Sequence, residues 1–449
     1  MRRNSRVALP VLAACFVLMS TLAASAGLPS SNLVKTDMVN GPVRALAQAG
    51  NDLWIGGAFT QVLDSSGNPI QGAGDLVAFN SSGQLDTSVQ VPLVTKTTGS
   101  ATVYGLSQGP NGDLYLAGSF NRVDGAIRDG AAAIDPTTGD LLPFAPKAGA
   151  AKSILATSYA VYVGTAKLLS FQLSGAKTPG YTAPTAHIDA TLRGHLTLPA
   201  FRGLAISGTT LVAACQCDSM DDANANGHPV KAVVEVNANT GDLLPWAAGG
   251  LGAANAAWGI TPIIHDAPGT STPTIYLAAG GNDFAAAYDL STGNRLWLED
   301  CSGSCQGITW SQGELVVGGH FDWTSKVPSG DAGTCHDNDH PNVASCYLSP
   351  HLVAMDPATG QIVLDSGGNP WNPGICCMYN GVWVVLADSN GTTLHVGGEF
   401  TRAGTATWTY NASTKKYTMK GGVKQDYYAR FDAPLPPAGS ASGTAGPAG

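Results

Sequence analysis

The sequence predicts an all-β fold, namely a seven-bladed β-propeller of four-stranded antiparallel blades. Two observations carry this prediction. A short apolar segment that ends in Gly-Gly-x-Phe, or in a looser variant, recurs seven times. Turn sequences with an Asp, Asn or Gln three or four residues before a Gly follow most of the copies. A unit that recurs in this way is typical of repeat folds in which each copy forms one blade.

The second strand of each blade carries the glycine motif. The copies lie at 53–59, 114–120, 161–164, 211–214, 275–279, 313–321 and 394–400. Glycine normally weakens a strand, so its recurrence at one position indicates close backbone approach between neighbouring blades. Before each copy lies a predicted first strand, at 43–46, 103–106, 153–156, 201–205, 258–260, 306–309 and 382–385.

The third strand is predicted to end in a hydrogen-bonded turn. An Asp or Asn side chain accepts bonds from amides two or three residues on, and Gly supplies the positive φ that closes the hairpin. The turns begin at Asp135, Asn237, Asp289 and Asp356, and shorter versions begin at Asn80 and Gln172. A fourth strand with an aromatic residue follows, as at 141–144, 243–246 and 295–297.

The seventh repeat has no fourth strand of its own, because its third strand ends at Asp432. The unassigned segment 32–38 is predicted to supply it, so that an N-terminal strand closes the ring and leaves no open sheet edge. The propeller is predicted to span 27–433. The Pro-, Ala-, Gly- and Ser-rich segment 434–449 is predicted to be a disordered tail.

Residues 1–26 are predicted to be a secretory signal peptide. Basic residues precede an apolar segment at 7–23, and Ala24-Ser-Ala26 offers small residues for cleavage after Ala26. The alternative is lipid attachment at Cys15, although the apolar segment before it is very short. We therefore expect a secreted or cell-surface protein.

Eight cysteines follow the predicted cleavage site, and an even number in an exported chain is typical of disulfides. Their spacing predicts the local pairs Cys301–Cys305 and Cys335–Cys346. The other four are predicted to pair either locally or between loops of the fourth and seventh blades: Cys215, Cys217, Cys376 and Cys377.

Composition narrows the classes of partner. Charged residues make up 12% of the chain, and the net charge is −9. Recognition of nucleic acid needs a basic stripe, and no apolar segment after residue 26 is long enough to span a bilayer. We expect a monomer with no nucleic-acid partner and no transmembrane segment.

The Gly-Gly-x-Phe and Ala-x-Asp-x-x-Thr-Gly repeats resemble those of secreted bacterial β-propeller repeat proteins related to the delta-60 repeat family. The resemblance covers nearly the whole chain after the signal peptide, and its most specific part is 280–400. It implies an exported or surface-attached propeller, and it identifies no catalytic residue in this chain.

More distantly, the segment from Ala286 to Trp297 resembles the tryptophan-docking repeat of quinoprotein dehydrogenases. The adjacent Cys376 and Cys377 resemble the vicinal cysteines that cover pyrroloquinoline quinone in some of those enzymes. That resemblance implies an oxidoreductase. Those enzymes have eight blades, however, and their calcium ligands and catalytic Asp have no counterpart that can be placed here.

The cysteines and the longest insertions, 175–201 and 320–351, fall on one predicted face. Long loops on a rigid scaffold are where binding sites usually lie. Aromatic and histidine side chains among short polar residues there suit an extracellular glycan or protein. The predicted ligand-binding residues are Trp323, His336, His340, Tyr347, Trp371 and Tyr379. The alternative is that these aromatic residues pack the insertion against its own ring.

We therefore expect a non-enzymatic binding or scaffold module. The chain contains no Gly-x-Ser-x-Gly elbow, no acid–base or nucleophile constellation and no firm cofactor signal. The alternative is a quinoprotein-like oxidoreductase, or a hydrolase whose acids converge in the central funnel from distant loops. Several acids in a deep pocket would favour an enzyme.

One loop has the spacing of a calcium site. Asp222, Asn224 and Asn226 alternate before Gly227, and two further acids stand nearby, Asp218 and Asp221. No Glu stands at the twelfth position, so a solvated polar loop is the alternative. A second cluster at 331–340 has ligands for zinc or calcium, but a Cys335–Cys346 disulfide would consume its thiol.

Isothermal titration calorimetry is expected to detect weak calcium binding that Asp222→Ala removes, because the loop centre offers one carboxylate and two amides. Calcium should also raise the melting temperature relative to chelator. Equal melting temperatures under the two conditions would contradict a calcium site.

Overall fold

A computed structural model of the protein describes residues 28, 32–188, 199–221, 227–230, 232–245, 259–281, 283–326, 335, 345–365, 368–376, 381–411, 413–414 and 416–432. All regular secondary structure in these residues is β-strand, which confirms the all-β prediction. Across the same ranges, no helix is both long and apolar enough to cross a bilayer. The predicted signal peptide and tail lie outside the described residues.

The strands of the first three repeats follow in chain order. In and before the first repeat they are β1 (Leu33–Val34), β2 (Met38–Val39), β3 (Val43–Ala49), β4 (Asp52–Gly57), β5 (Gln61–Leu63), β6 (Pro69–Gly72) and β7 (Leu76–Phe79). The second repeat contains β8 (Val94–Thr95), β9 (Val103–Gln108), β10 (Leu114–Gly118), β11 (Arg122–Val123), β12 (Ala126–Ile127) and β13 (Ala131–Ile134). The third contains β14 (Ser153–Ala156), β15 (Val161–Gly164) and β16 (Leu168–Phe171).

The last four repeats contain the remaining strands. The fourth has β17 (Thr185–His187), β18 (Ala200–Ser207), β19 (Thr210–Gln216), β20 (Ser219–Asp221), β21 (Gly227–Pro229) and β22 (Val233–Asn237). The fifth has β23 (Gly259–Asp266), β24 (Pro273–Gly280), β25 (Phe284–Asp289) and β26 (Arg295–Asp300). The sixth has β27 (Cys305–Ser311), β28 (Glu314–Gly319), β29 (Trp323–Ser325), β30 (Cys346–Leu348) and β31 (Leu352–Met355). The seventh has β32 (Gly381–Ala387), β33 (Thr393–Glu399), β34 (Arg402–Asn411), β35 (Lys416–Lys424) and β36 (Tyr428–Asp432).

Each repeat contributes one principal sheet, in which neighbouring strands are antiparallel. In chain order the principal sheets are β3-β4-β7, β9-β10-β13, β14-β15-β16, β18-β19-β22, β23-β24-β25-β26, β27-β28-β31 and β32-β33-β36-β1. The last sheet is completed by the N-terminal strand, since Leu33 pairs with Phe431 and Val34 pairs with Arg430. The strand predicted within 32–38 is therefore present, and it covers the edge of β36.

Among the described residues, the fifth repeat alone forms the predicted fourth strand as an extended strand of its own, where β26 pairs with β25. In five other repeats one isolated bridge stands in its place: Phe79↔Leu85, Ile134↔Leu141, Phe171↔Lys177, Val236↔Leu243 and Met355↔Ile362. Pro143 and Pro245 lie inside two of the predicted strands. A proline has no amide hydrogen to donate to the ladder, so those strands stop early.

The predicted turns at the end of the third strand are confirmed. The amides of Thr137, Ser291 and Ala358 donate to the Oδ1 atoms of the Asp two residues before them, at 2.7, 2.9 and 2.9 Å. Gly139 closes the first of these turns with a φ of 86°. The side-chain bond and the left-handed glycine together fix the direction in which the chain leaves the sheet.

Consecutive principal sheets contact one another through their first strands. β3 contacts β9, β9 contacts β14, β14 contacts β18, β18 contacts β23, β23 contacts β27, and β27 contacts β32. β32 in turn contacts β3, so the last sheet lies against the first.

Apolar clusters fill the spaces between the sheets. Each of seven clusters among the described residues combines buried side chains from two consecutive repeats. Trp54 of the first repeat, for example, shares a cluster with Leu116 of the second. The cluster that joins the seventh repeat to the first contains Val43 and Tyr428.

The glycines of the second strands permit this contact. A β-carbon on Gly56 would lie 2.6 Å from Cγ1 of Val103 in the next sheet, and one on Gly318 would lie 2.4 Å from Cγ1 of Val382. At the junction of the last and first sheets, a β-carbon on Gly397 would lie 2.4 Å from Cγ1 of Val43. The predicted close approach at these glycines is confirmed.

Gly397→Ala is expected to lower the free energy of unfolding by about 1–3 kcal/mol, because the added methyl group overpacks the contact with Val43. Gly72→Ala is the matched control, since a β-carbon there meets nothing within 4 Å. The control should change stability by less than about 0.5 kcal/mol. Equal effects of the two substitutions in urea unfolding would contradict the close approach.

Candidate functional site

Five of the repeats build a second, smaller sheet, which we call an accessory sheet. The accessory sheets are β2-β5-β6, β8-β11-β12, β17-β20-β21, β29-β30 and β34-β35. In three of them, a strand from the segment that precedes the first principal strand of a repeat pairs with a strand from the insertion that follows the second principal strand of the same repeat. In the sixth and seventh repeats the bridges Cys301↔Thr324 and Cys376↔Arg402 make the same connection.

All accessory sheets lie at one end of the principal sheets. In the first repeat Val43, at the start of β3, pairs with Gly57, at the end of β4, and β5 follows directly. The opposite end is closed by short turns, such as the two-residue turn between β3 and β4. The structure thus concentrates the inserted chain at one end, which we call the accessory face.

Disulfides fasten the accessory face. Cys301 and Cys305 are bonded across the turn into the sixth repeat, with Cα atoms 6.3 Å apart. Cys335 and Cys346 are bonded within the sixth insertion, with Cα atoms 5.9 Å apart. Both pairs are those that the spacing predicts.

The sequence left open whether the two cysteines of the fourth repeat pair with each other or with cysteines of the seventh. Cys215 and Cys217 bond to each other, with Cα atoms 5.3 Å apart. A bond from either one to the seventh blade is therefore excluded. Cys376 is also disulfide-bonded, whereas Cys377 lies outside the described residues.

The predicted ligand-binding residues differ in their exposure. Trp323 is 4% exposed and packs with Cys335, Cys346 and Leu348, so its ring holds the sixth insertion together. For Trp323 this position favours the packing role that the sequence left as the alternative. Three others, namely His336, His340 and Tyr379, lie outside the described residues.

Tyr347 and Trp371 are half-buried at the accessory face. Tyr347 lies in β30, and Nζ of Lys326 is 5.3 Å from its ring centre. Trp371 packs against the apolar cluster between the sixth and seventh sheets, and its amide donates to the carbonyl of Val363 at 3.0 Å. The structure leaves part of each ring accessible.

Two of the predicted calcium ligands are described, and both carboxylates have protein partners. Nε2 of His187 lies 2.7 Å from Oδ2 of Asp221, and Oγ of Ser219 donates to Oδ1 of Asp218 at 3.0 Å. The other three, Asp222, Asn224 and Asn226, lie outside the described residues. Within the described ranges no three His, Cys, Asp or Glu side chains are grouped to hold a metal ion. The calcium site stays a prediction.

A feature that the sequence did not reveal is a bulge near the start of the first strand in five sheets. The pairing skips one residue there, and the skipped residues are Arg44, Tyr104, Arg202, Gln306 and Trp383. A β-bulge redirects a side chain out of the regular alternation of the strand. All five bulges lie at the end that carries the accessory face.

Arg44 belongs to a contact between the first and seventh repeats. Its Nη2 forms a very short ion pair with Oε1 of Glu399, and its guanidinium carbon lies 4.1 Å above the ring of Trp383. Nε1 of Trp383 donates to the same Glu399 oxygen at 3.2 Å. Glu399 is 9% exposed, so this carboxylate is buried against its partners.

Two further cations belong to neighbouring first strands. Nζ of Lys152, next to the start of β14, lies 3.4 Å from the ring centre of Tyr104. Nε and Nη2 of Arg202 donate to Oε1 of Gln216 at 3.1 and 2.8 Å. We call Arg44, Lys152 and Arg202 the basic cluster.

The members of the basic cluster are close enough to influence one another. Burial lowers the pKa of Lys152, and the charges of Arg202 and Arg44 act in the same direction. Burial also lowers the pKa of Arg202, and the charge of Arg44 adds to that effect. Burial alone would raise the pKa of Tyr104, but the charges of Lys152 and Arg44 and the hydrogen bonds with Lys152 and Thr102 together outweigh it, so the pKa is lowered.

Four acids with strongly raised pKa values belong to separate strands or loops. Burial raises the pKa values of Asp75, Glu235 and Glu314 to about 7 each, and that of Glu299 well above its ordinary value. None of these four carboxylates shifts the pKa of another one. Among the described residues, the carboxylate that contacts the basic cluster is that of Glu399.

The chain matches no family model and no curated protein sequence. Among solved structures it is similar to the computationally designed Ika8 protein, with 12% identity and a TM-score of 0.44 over 90% of this chain and 100% of that chain. It is also similar to a chain of the Mitotic Checkpoint Complex, with 10% identity and a TM-score of 0.42 over 75% of this chain and 82% of that chain. Likeness at this level does not establish a shared fold or function.

Glu399→Gln is expected to lower the free energy of unfolding by about 1–3 kcal/mol, because it leaves the half-buried Arg44 without a counter-charge. Added salt should reduce the loss by screening repulsion within the basic cluster. Asp432→Asn is the control, since this more exposed acid pairs with Arg430 and should contribute less than about 1 kcal/mol. A loss that salt does not change would contradict the electrostatic explanation.

Proposed function

We propose that the chain is an exported seven-bladed β-propeller that acts as a non-enzymatic binding module for an extracellular glycan or protein. The accessory face carries this proposal. Insertions from five repeats are ordered there into small sheets and fastened by disulfides, whereas the opposite end has short turns. Loops that vary on a rigid scaffold are suited to recognition.

The propeller itself is supported by the order of the sheet contacts. Seven principal sheets contact one another in chain order, and the last contacts the first. An apolar cluster lies at each junction, including the junction between the seventh repeat and the first. A radial array of blades is an arrangement that satisfies all of these contacts.

Export is supported by the disulfides. Bonded cysteines persist in oxidising compartments, and the described residues contain three complete pairs. This agrees with the predicted signal peptide. The relation to delta-60 repeat propellers, proposed from the motifs, points to the same compartment.

A quinoprotein-like oxidoreductase is the second candidate, favoured by one contact. Nε1 of Trp297 donates to the carbonyl of Pro357 at 2.9 Å, so that the aromatic residue of one repeat is docked on the turn of the next. This contact between consecutive repeats supports the resemblance of the segment from Ala286 to Trp297 to a tryptophan-docking repeat. Against it, the basic cluster contacts a single described carboxylate rather than a group of acids.

The double substitution Tyr347→Ala/Trp371→Ala is expected to abolish binding to an array of bacterial extracellular polysaccharides, because it removes the two partly accessible rings of the accessory face. Tyr159→Ala is the control. This tyrosine is 49% exposed in the turn between β14 and β15, at the opposite end of its sheet. The control variant should bind as the native chain does.

An enzymatic assay separates the two candidates. The native chain should not oxidise sugars or alcohols when pyrroloquinoline quinone, calcium and an artificial electron acceptor are supplied. Turnover under these conditions would overturn the binding module. Array binding that survives the double substitution would instead move the site away from Tyr347 and Trp371.

A further inference from the structure

We infer that the basic cluster, formed by Arg44, Lys152 and Arg202, is a binding site for a small organic dianion that carries phosphate or carboxylate groups. The inference deepens the proposed function and rests on it for the role of the site. That the cluster binds anions is inferred separately, from the contacts of the three side chains alone.

The charge of the basic cluster is only partly neutralised by the protein. The chain as a whole carries a net charge of −9, yet three cations from the first, third and fourth repeats lie at the accessory end of the first strands, close enough for their charges to act on one another. Arg44 is paired with Glu399. Among the described residues, no carboxylate forms an ion pair with Lys152 or Arg202. Two positive charges therefore remain for an anion to neutralise.

The basic cluster also has N–H donors that an anion can use. A guanidinium group has five N–H donors, and an ammonium group has three. Arg202 directs its Nε and Nη2 atoms to one oxygen of Gln216, which leaves its Nη1 donors unused by that contact. Phosphate and carboxylate oxygens accept such charge-assisted bonds with favourable geometry.

The cations are also held in place before a ligand arrives. Lys152 lies over the ring of Tyr104, Arg44 lies over the ring of Trp383, and Arg202 is fixed by Gln216. Contact with an aromatic face orients a cation without neutralising it. Side chains that are already oriented lose less entropy on binding, which strengthens a site with few contacts.

The size of the ligand follows from the surroundings. Each of the two rings at the cluster already has a cation over one face, which leaves at most one face for a stacked base. A nucleic acid needs a basic stripe, and the acidic remainder of the chain would repel its backbone. A compact dianion satisfies the charge of the cluster without extending beyond it.

The test is calorimetric titration of the full chain, with its disulfides intact, with inorganic pyrophosphate and with malonate at low ionic strength. Binding is expected for at least one probe, and its affinity should fall as salt increases. Pyrophosphate alone would indicate a phosphate ligand, malonate alone a carboxylate ligand, and both a site that selects by charge. Binding of neither probe at 10 mM, a concentration of order 10 times a millimolar dissociation constant, would overturn the inference.

Variants locate the site. Lys152→Gln/Arg202→Gln should weaken binding at least tenfold, whereas Lys96→Gln/Arg122→Gln removes the same charge from exposed positions at the accessory face and should have little effect. Glu399→Gln should instead tighten binding several-fold, because it releases Arg44. A gain cannot arise from misfolding, so it separates the site from a structural role. Equal losses in the two double variants would overturn the inference.

Failure of the dianion site and failure of the proposed binding module give different experimental results. A chain that binds arrayed polysaccharide but neither probe would keep the binding module and reject the dianion site. A chain that binds pyrophosphate or malonate through Lys152 and Arg202 while oxidising sugars would keep the site and reject the binding module.

Discussion

The fold depends on the close approach of consecutive sheets at glycines of their second strands. Where Gly56, Gly318 and Gly397 lack a β-carbon, a valine of the next first strand fills the space. Each junction can then bury an apolar cluster shared by two repeats. Because neither repeat can bury its apolar surface alone, the sheets stabilise one another, and the spacing between them leaves little tolerance for larger side chains.

This packing leaves the inserted segments of chain to the ends of the sheets. The faces of the principal sheets are largely occupied by apolar contacts between repeats. At one end, insertions pair with the arriving links to form accessory sheets. At the same end, bulges turn Arg44 and Arg202 out of the ladder without interrupting it. Insertions and bulged side chains are thereby concentrated at one end of the sheets.

Features encoded locally were predictable from the sequence, and features that depend on distant pairing were not. The glycine motif, the turn at Asp135 and the Cys301–Cys305 pair each lie within a few residues, so their chemistry is visible in the chain. The basic cluster is different, because Arg44, Lys152 and Arg202 are brought together by three separate sheets. A bulge also depends on the register of the partner strand, which the sequence of one strand does not contain. Likewise, the sequence shows that Trp323 is aromatic but not that it faces inward.

The pairing of Leu33 with Phe431 has a consequence for how the protein is made. Nearly the whole described chain lies between these two residues, so the last sheet is completed only after almost all of it has been synthesised. Until then β1 has no partner strand, and an unpaired edge is a template for association with other chains. Contacts between such distant residues also form slowly. The nascent chain therefore stays open to such association until its two ends meet.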